Sequence, residues 1–242
     1  MAALLLRDRY HILALDQRGH GDSDWNPSGT RYTWEQHERD ITGFIDAARL
    51  ERFALLGMSL GGLNALRYTA RHPERVRALV IVDIGPDIVA DGRANVVQFR
   101  RETQEEADSP EWFLERAVRF NPARPVAHLR YSLYHALKQT TSGRWTWKAD
   151  RLPAPVGHQA EEEAARRAEA ESLWQDWRTL ACPTLILRGE HSRVVTNEAS
   201  QRAAASLPKG EFREIANAGH NVHGDNPAAF AAAVDDFLTR SL

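Results

Sequence analysis

The chain has 242 residues, 43% hydrophobic and 26% charged, with a formal net charge of −2 at pH 7. That suits one globular domain with room for an insertion, and the near-neutral charge gives no general attraction to nucleic acid or anionic lipid. No apolar run approaches the ~20 residues of a membrane span, Met1 to Leu6 is too short and too poor in basic residues for a signal peptide, and the single Cys182 rules out an internal disulfide and fits a reducing, cytoplasmic setting.

His11-Ile12-Leu13-Ala14-Leu15 predicts a buried strand that ends at Asp16 and the turn Arg18-Gly19-His20-Gly21-Asp22. Thr33 then reads as a helix N-cap with Gln36 completing a capping box, and Ile41, Phe44, Ile45 and Ala48 follow at helical spacing. Phe53-Ala54-Leu55-Leu56 predicts the next strand, followed by Gly57-Met58-Ser59-Leu60-Gly61-Gly62 and a helical run that stops at His72-Pro73. Further apolar runs, Ala78 to Val82 and Thr184 to Leu187, end at Asp83 and at Arg188-Gly189-Glu190; Phe212 to Ala216 is weaker. Cys182 opens the second of these and reads as a small packed hydrophobe. Asn226-Pro227 reads as N-cap and first residue of a last helix that buries Phe230, Val234, Phe237 and Leu238. Short apolar strands alternating with amphipathic helices imply an α/β fold with a mostly parallel sheet covered on both sides.

The stretch from about Pro86 to Arg178 breaks that rhythm. It is rich in Arg and Glu and holds helix-like segments around Trp112-Phe113, Leu129 to Leu137 and Glu161 to Glu171, with no continuous strand-like apolar run. The expected organisation is therefore a core in two parts, residues 1–86 and 179–242, with a helical cap inserted at 87–178. At the carboxyl ends of the strands such an insertion would act as a lid.

A strand, then G-x-S-x-G, then a helix is the context of a nucleophile elbow, which holds the serine hydroxyl at the tip of a sharp turn. Here the serine is Ser59, and the amide of Leu60 opens the helix where it can donate to an oxyanion. Serine needs a base, and His220, between the last strand and the last helix, is the best candidate. His223 follows three residues on, but no third ligand stands at a recognised spacing, so no metal is expected. The base needs an orienting carboxylate, and both Asp83 and Glu190 end strands at the right sheet edge.

In Asp16-Gln17-Arg18-Gly19-His20-Gly21-Asp22-Ser23-Asp24, the elbow, His72-Pro73-Glu74-Arg75-Val76, Val82-Asp83-Ile84-Gly85-Pro86, Leu187-Arg188-Gly189-Glu190 and Gly219-His220 with Asp225-Asn226-Pro227, the chain resembles the α/β-hydrolase superfamily. The pieces occur in family order and cover the chain outside the insertion. The resemblance implies that Ser59 is the nucleophile and His220 the base, under a helical cap, with no cofactor. It departs from the family in two places. The usual acid, an aspartate after the serine that follows Arg188-Gly189, is replaced by Arg193 beside Ser192, and the resemblance then supports Asp83, where some members carry the acid. Family members also carry residues before the equivalent of Leu13, including two edge strands and a central strand whose loop supplies the second oxyanion amide. The resemblance thus implies a chain that lacks those amino-terminal strands.

The expected reaction is hydrolysis of a small carboxylic ester, lactone or amide through an acyl-enzyme, with a small-molecule substrate and neither nucleic acid nor membrane as partner. Ser59 argues against the dehalogenase and epoxide hydrolase chemistries, which use an aspartate at the elbow; a cofactor-free haloperoxidase or a carbon–carbon bond hydrolase keeps the serine. The alternative is a catalytically weak hydrolase-fold protein that binds a small ligand in its capped pocket. Trp25, Trp145 and Trp147 are candidates to line an apolar pocket, and Arg100, Arg101, Arg130 and Arg144 to hold a substrate carboxylate.

Overall fold

A computed structural model of the chain describes residues 2–27, 30, 32–87, 106–122, 124–150 and 159–242. In chain order the elements are α1 (Ala2–Leu6), α2 (Trp34–Ala47), β1 (Phe53–Met58), α3 (Leu60–Arg71), β2 (Val76–Val82), β3 (Glu106–Ala107), α4 (Pro110–Phe120), α5 (Val126–Ala136), β4 (Leu137–Gln139), β5 (Trp145–Trp147), α6 (Gln159–Arg178), β6 (Thr184–Gly189), α7 (Asn197–Ala205), β7 (Gly210–Ile215), α8 (Val222–Asp225) and α9 (Pro227–Ser241).

The chain divides into two compact units. The first comprises Met1–Leu13, Ile41–Arg93 and Pro155–Leu242, the second Ala14–Asp40 and Ala94–Ala154. This division differs from the expected boundaries at residues 86 and 178. The turn region from Ala14 belongs with the second unit, and the charged helix α6 belongs with the first. Sequence shows a charged helix as a solvated face, but the last turns of α6 carry Leu173 and Trp177, both 0% exposed, and the Trp177 indole donates to the Ala203 carbonyl at 3.2 Å.

The first unit is built on a parallel sheet in the order β1-β2-β6-β7. β2 lies inside it, and Ala78, Leu79, Val80, Ile81 and Val82 are each at most 1% exposed. Full burial of such an aliphatic side chain contributes roughly 1.5–3 kcal/mol, so the continuous apolar run is what an interior parallel strand requires. α9 closes one face with Phe230, Val234, Phe237 and Leu238 buried, and its first turn is capped as expected, Asn226 accepting from the Ala229 amide at 3.2 Å with Pro227 behind it. Cys182 is half-buried, and burial pushes its thiol up from the ordinary range, opposed by its contact with the Thr184 hydroxyl.

His11 to Leu15 forms no strand, contrary to expectation. A strand exists only as one side of a ladder. The described sheet ends at β1, and Ile12, Leu13 and Leu56 are 38%, 42% and 45% exposed.

In the second unit the capping box forms as read: the Gln36 amide donates to Thr33 Oγ1 at 3.3 Å, and Gln36 Oε1 accepts from the Thr33 amide at 3.0 Å. Arg18 forks onto Asp40 through Nε at 2.8 Å and Nη2 at 2.7 Å. The segment from 106 to 150 is not purely helical, as a cap read from sequence would be. α4 and α5 pack with a three-stranded antiparallel sheet in the order β3-β5-β4, around Phe113, Leu114, Leu129, Leu133 and Leu137. Strands of two or three residues leave little in the sequence beyond the alternation of Trp145 and Trp147 across Thr146.

Candidate active site

All four strands of the parallel sheet end at one edge, and their register levels those ends. Met58 pairs with Val82, and Val82 with Leu187, so Ser59 and Asp83 leave the sheet side by side. The amide of Ser59 donates to the Val82 carbonyl at 3.1 Å, and that of Asp83 to the Leu187 carbonyl at 2.7 Å.

Ser59 stands at φ 52°, ψ −121°, a region a side chain occupies only when its surroundings enforce it. The enforcement comes from the close approach of β1 and α3. A Cβ on Gly57 would lie 2.1 Å from the Gly61 carbonyl oxygen, so no other residue fits there. Ser59 precedes α3 but makes no side-chain capping bond to it, which leaves its hydroxyl uncommitted to the helix. Leu60 is the first residue of α3, and its amide has no carbonyl one turn earlier to bond within the helix. An amide so placed is free to donate to an oxyanion.

Asp83 also has positive φ, 51°, and is 0% exposed. Its carboxylate accepts three hydrogen bonds. Oδ1 takes the Gly189 amide at 3.2 Å; Oδ2 takes Ser192 Oγ–H at 2.5 Å and faces His220 Nδ1 at 2.7 Å. His220 is partly exposed, its side chain 29% accessible. With Nδ1 bound to a carboxylate, the neutral ring carries its proton there and presents a lone pair at Nε2, the tautomer a general base needs.

Glu190, the other candidate acid, accepts the Asn217 amide at 2.8 Å and lies 3.8 Å from His191. It is Asp83 that meets His220. His223 packs its ring 5.9 Å from that of Phe230, and among the described residues no cluster of three metal-ligating side chains occurs. Ser192 joins the site although sequence reading gave it no part in the chemistry.

The remaining candidates fall in the second unit or outside the described residues. Trp25 is 39% exposed and lies under Lys138, whose Nζ is 4.3 Å from the ring centroid. Trp147 packs edge-on against Phe113 at 5.2 Å, and Trp145 joins the same apolar cluster, so both serve that unit's packing. Arg144 pairs with Asp108 at 3.1 Å and Arg130 with Glu111 at 3.1 Å. Arg100 and Arg101 lie outside the described residues.

A profile of the alpha/beta hydrolase fold matches residues 1–227. The chain belongs to the α/β-hydrolase family. It is 28% identical over 235 residues to an esterase of Mycobacterium tuberculosis, spanning 93% of this chain and 74% of that protein. It is 27% identical over 236 residues to 2-(acetamidomethylene)succinate hydrolase of Mesorhizobium japonicum, spanning 96% and 80%. The crystal structure of E-2-(acetamidomethylene)succinate hydrolase superposes with a TM-score of 0.79 at 25% identity, over 98% of this chain and 84% of that one. Such relatives identify this α/β-hydrolase as a hydrolytic enzyme. Among its described residues no helix is long and apolar enough to cross a membrane.

Proposed function

We propose that the protein is a serine hydrolase that cleaves a small carboxylic ester, lactone or amide through an acyl-enzyme. The observation that carries this reading is the 2.7 Å contact between His220 Nδ1 and the buried Asp83 carboxylate, at the sheet edge where Ser59 stands on a strained elbow. His220 Nε2 takes the proton of Ser59 Oγ as that oxygen attacks the substrate carbonyl. The developing oxyanion rests on the Leu60 amide, at the positive end of α3. His220 then gives its proton to the leaving alcohol or amine. A water, deprotonated by the same nitrogen, attacks the acyl-serine, and His220 returns that proton to Ser59 Oγ as the acid leaves. The strain at Ser59 supports the reading, because packing alone does not need a residue held there.

The relatives named as an esterase and as a hydrolase of 2-(acetamidomethylene)succinate support a carbonyl substrate. The test is hydrolysis of p-nitrophenyl acetate and butyrate, with covalent labelling by a fluorophosphonate. Turnover and labelling that both vanish in Ser59→Ala are the expected result. Ligand binding without turnover or labelling would overturn the reading in favour of a degenerate, ligand-binding member of the family.

A further inference from the structure

We infer that Ser192 is the positioning residue of the site: its hydroxyl, donated to Asp83 Oδ2, fixes the carboxylate that orients His220. This rests on the serine hydrolase reading for its kinetic consequence, though not for its geometry.

The strand order makes such a residue necessary. Asp83 follows β2 and His220 follows β7, with β6 lying between those two strands. The carboxylate therefore has to reach across the end of β6, and the loop after β6 decides how it lies. That loop offers two donors, the Gly189 amide to Oδ1 and the Ser192 hydroxyl to Oδ2. The loop on which His220 sits packs directly over the same strand end, since a Cβ on Gly189 would stand 2.2 Å from the Gly219 carbonyl oxygen.

Direction is built into the Ser192 hydroxyl. Its oxygen accepts the Val194 amide at 3.1 Å, which occupies a lone pair and leaves the proton to point at Asp83. The loop itself is held from within by Arg188, which is 8% exposed. Its guanidinium donates to the carbonyls of Val195 at 2.9 Å, Glu190 at 3.1 Å and Ser192 at 3.0 Å, and pairs with Glu214 at 2.5 Å. One buried cation thus folds residues 190–195 into the shape that delivers Ser192 Oγ. Ser192 is itself buried, at 8% exposed.

The consequence for His220 follows from charge. Two donors share Oδ2, Ser192 Oγ–H and His220 Nδ1–H, and each draws electron density from it. Removing the Ser192 donor concentrates charge on the oxygen that faces the imidazole, so the imidazolium is held more tightly and His220 deprotonates at higher pH. The other titratable groups on the surrounding segments have partners of their own. Glu190 accepts the Asn217 amide, Asp225 the Gly219 amide, His191 lies beside Glu190, His223 packs on Phe230, and Arg188 serves the loop carbonyls and Glu214. Arg193 is exposed.

The experiment compares wild type, Ser192→Ala, Ser192→Thr and Ser59→Ala in the full chain. It reads kcat and KM for p-nitrophenyl butyrate across pH, and follows the His220 ring by proton NMR titration, which needs no turnover. In Ser192→Ala, kcat should fall about ten-fold with KM within about two-fold. The acid limb of the pH profile and the NMR titration of His220 should both move to higher pH. Ser192→Thr, which keeps the hydroxyl, should restore both. A folded Ser192→Ala whose His220 titrates as in wild type overturns the inference, whether or not kcat falls, because a merely structural residue would leave that titration unmoved. If Ser192→Ala does not fold, Ser192→Cys, with a weak donor of similar size, is read in its place against the same criteria. Turnover that survives Ser59→Ala refutes the hydrolase reading alone, and the NMR titration still decides the role of Ser192.

Discussion

Replacing Asp83 by Asn tests the site at its most constrained point. The side chain keeps its shape, but one acceptor oxygen becomes an NH2 donor. The Gly189 amide is a backbone donor aimed at Oδ1 and cannot turn away, so the amide oxygen should settle there and the NH2 should take the place of Oδ2. It then points hydrogens at Ser192 Oγ, which can accept, and at His220 Nδ1, which can accept only by moving its own proton to Nε2. The ring is held in place in the wrong tautomer, and the nitrogen that should take the Ser59 proton already carries one. The serine protease precedent for this substitution is a loss of about 10⁴-fold in kcat, or about 5.4 kcal/mol of transition-state stabilisation. Thermal stability should change far less, because the lost charge-assisted bonds are offset by no longer burying a carboxylate. The assay is p-nitrophenyl butyrate hydrolysis, with the rate of fluorophosphonate labelling as a substrate-independent measure of Ser59 reactivity. Glu190→Gln is the control and should stay within about two-fold in kcat, because Glu190 bonds the Asn217 amide and not His220. Asp83→Asn activity within ten-fold of wild type, or an equal loss in Glu190→Gln, would refute the reasoning.

Two further outcomes follow from the backbone and from burial. Ser59→Gly should abolish hydrolysis yet raise the stability by about 1 kcal/mol, since glycine occupies φ 52° without strain; a lower melting temperature than wild type would show that Ser59 is not strained. His37 is 5% exposed, and its pKa lies below the ordinary histidine value, first through burial and then through His20 and Arg18, with Asp40 opposing. Its neutral form therefore belongs to the fold. The stability it supports is complete above about pH 6.5 and is lost as the pH falls through its folded-state pKa, because the unfolded chain then binds the proton more readily. Urea denaturation from about pH 7.5 to about pH 5 should show this decline, and His37→Gln should flatten it; an unchanged slope in the variant would assign the decline to another group.

Where a local rule sets the backbone, the sequence was legible. The glycine-serine elbow, the Thr33–Gln36 capping box and the Asn226-Pro227 helix start are short-range patterns whose partners lie within four residues, and each stands as read. The continuous apolar run of β2 announced an interior strand for the same reason: burial on both faces leaves no polar positions. What stayed hidden depends on partners far along the chain. His11 to Leu15 has the apolar content of a strand but no ladder to join among the described residues. Arg130 and Arg144 have the charge to hold a substrate carboxylate, but Glu111 and Asp108, distant in sequence, lie beside them. Trp145 and Trp147 alternate as a strand should, yet nothing in that pattern says they pack within their own unit around Phe113. Ser192 stands out in the sequence only as the serine beside Arg193; its bond to Asp83 depends on β6 lying between β2 and β7.

Asp83 and Glu190 show why strand order alone does not say which carboxylate faces His220. Glu190 follows β6, the strand next to β7, and is the nearer residue to His220 by topology; Asp83 follows β2, one strand farther away. Backbone geometry reverses that advantage. The Glu190 amide donates to the Ile215 carbonyl, continuing the β6–β7 ladder, and its carboxylate is committed to the amide of Asn217, a residue at φ 55°. Glu190 thereby fixes the first turn of the loop that carries His220. Asp83 leaves the ladder at φ 51°, which turns its short side chain sideways across the end of β6 instead of onward along β2. The strain of that turn is of order 1–3 kcal/mol, and it persists because the Leu187 carbonyl, the Gly189 amide and Ser192 together hold the residue. The two acids thus divide the work: one shapes the histidine loop, and the other, reached at a conformational cost, faces the imidazole.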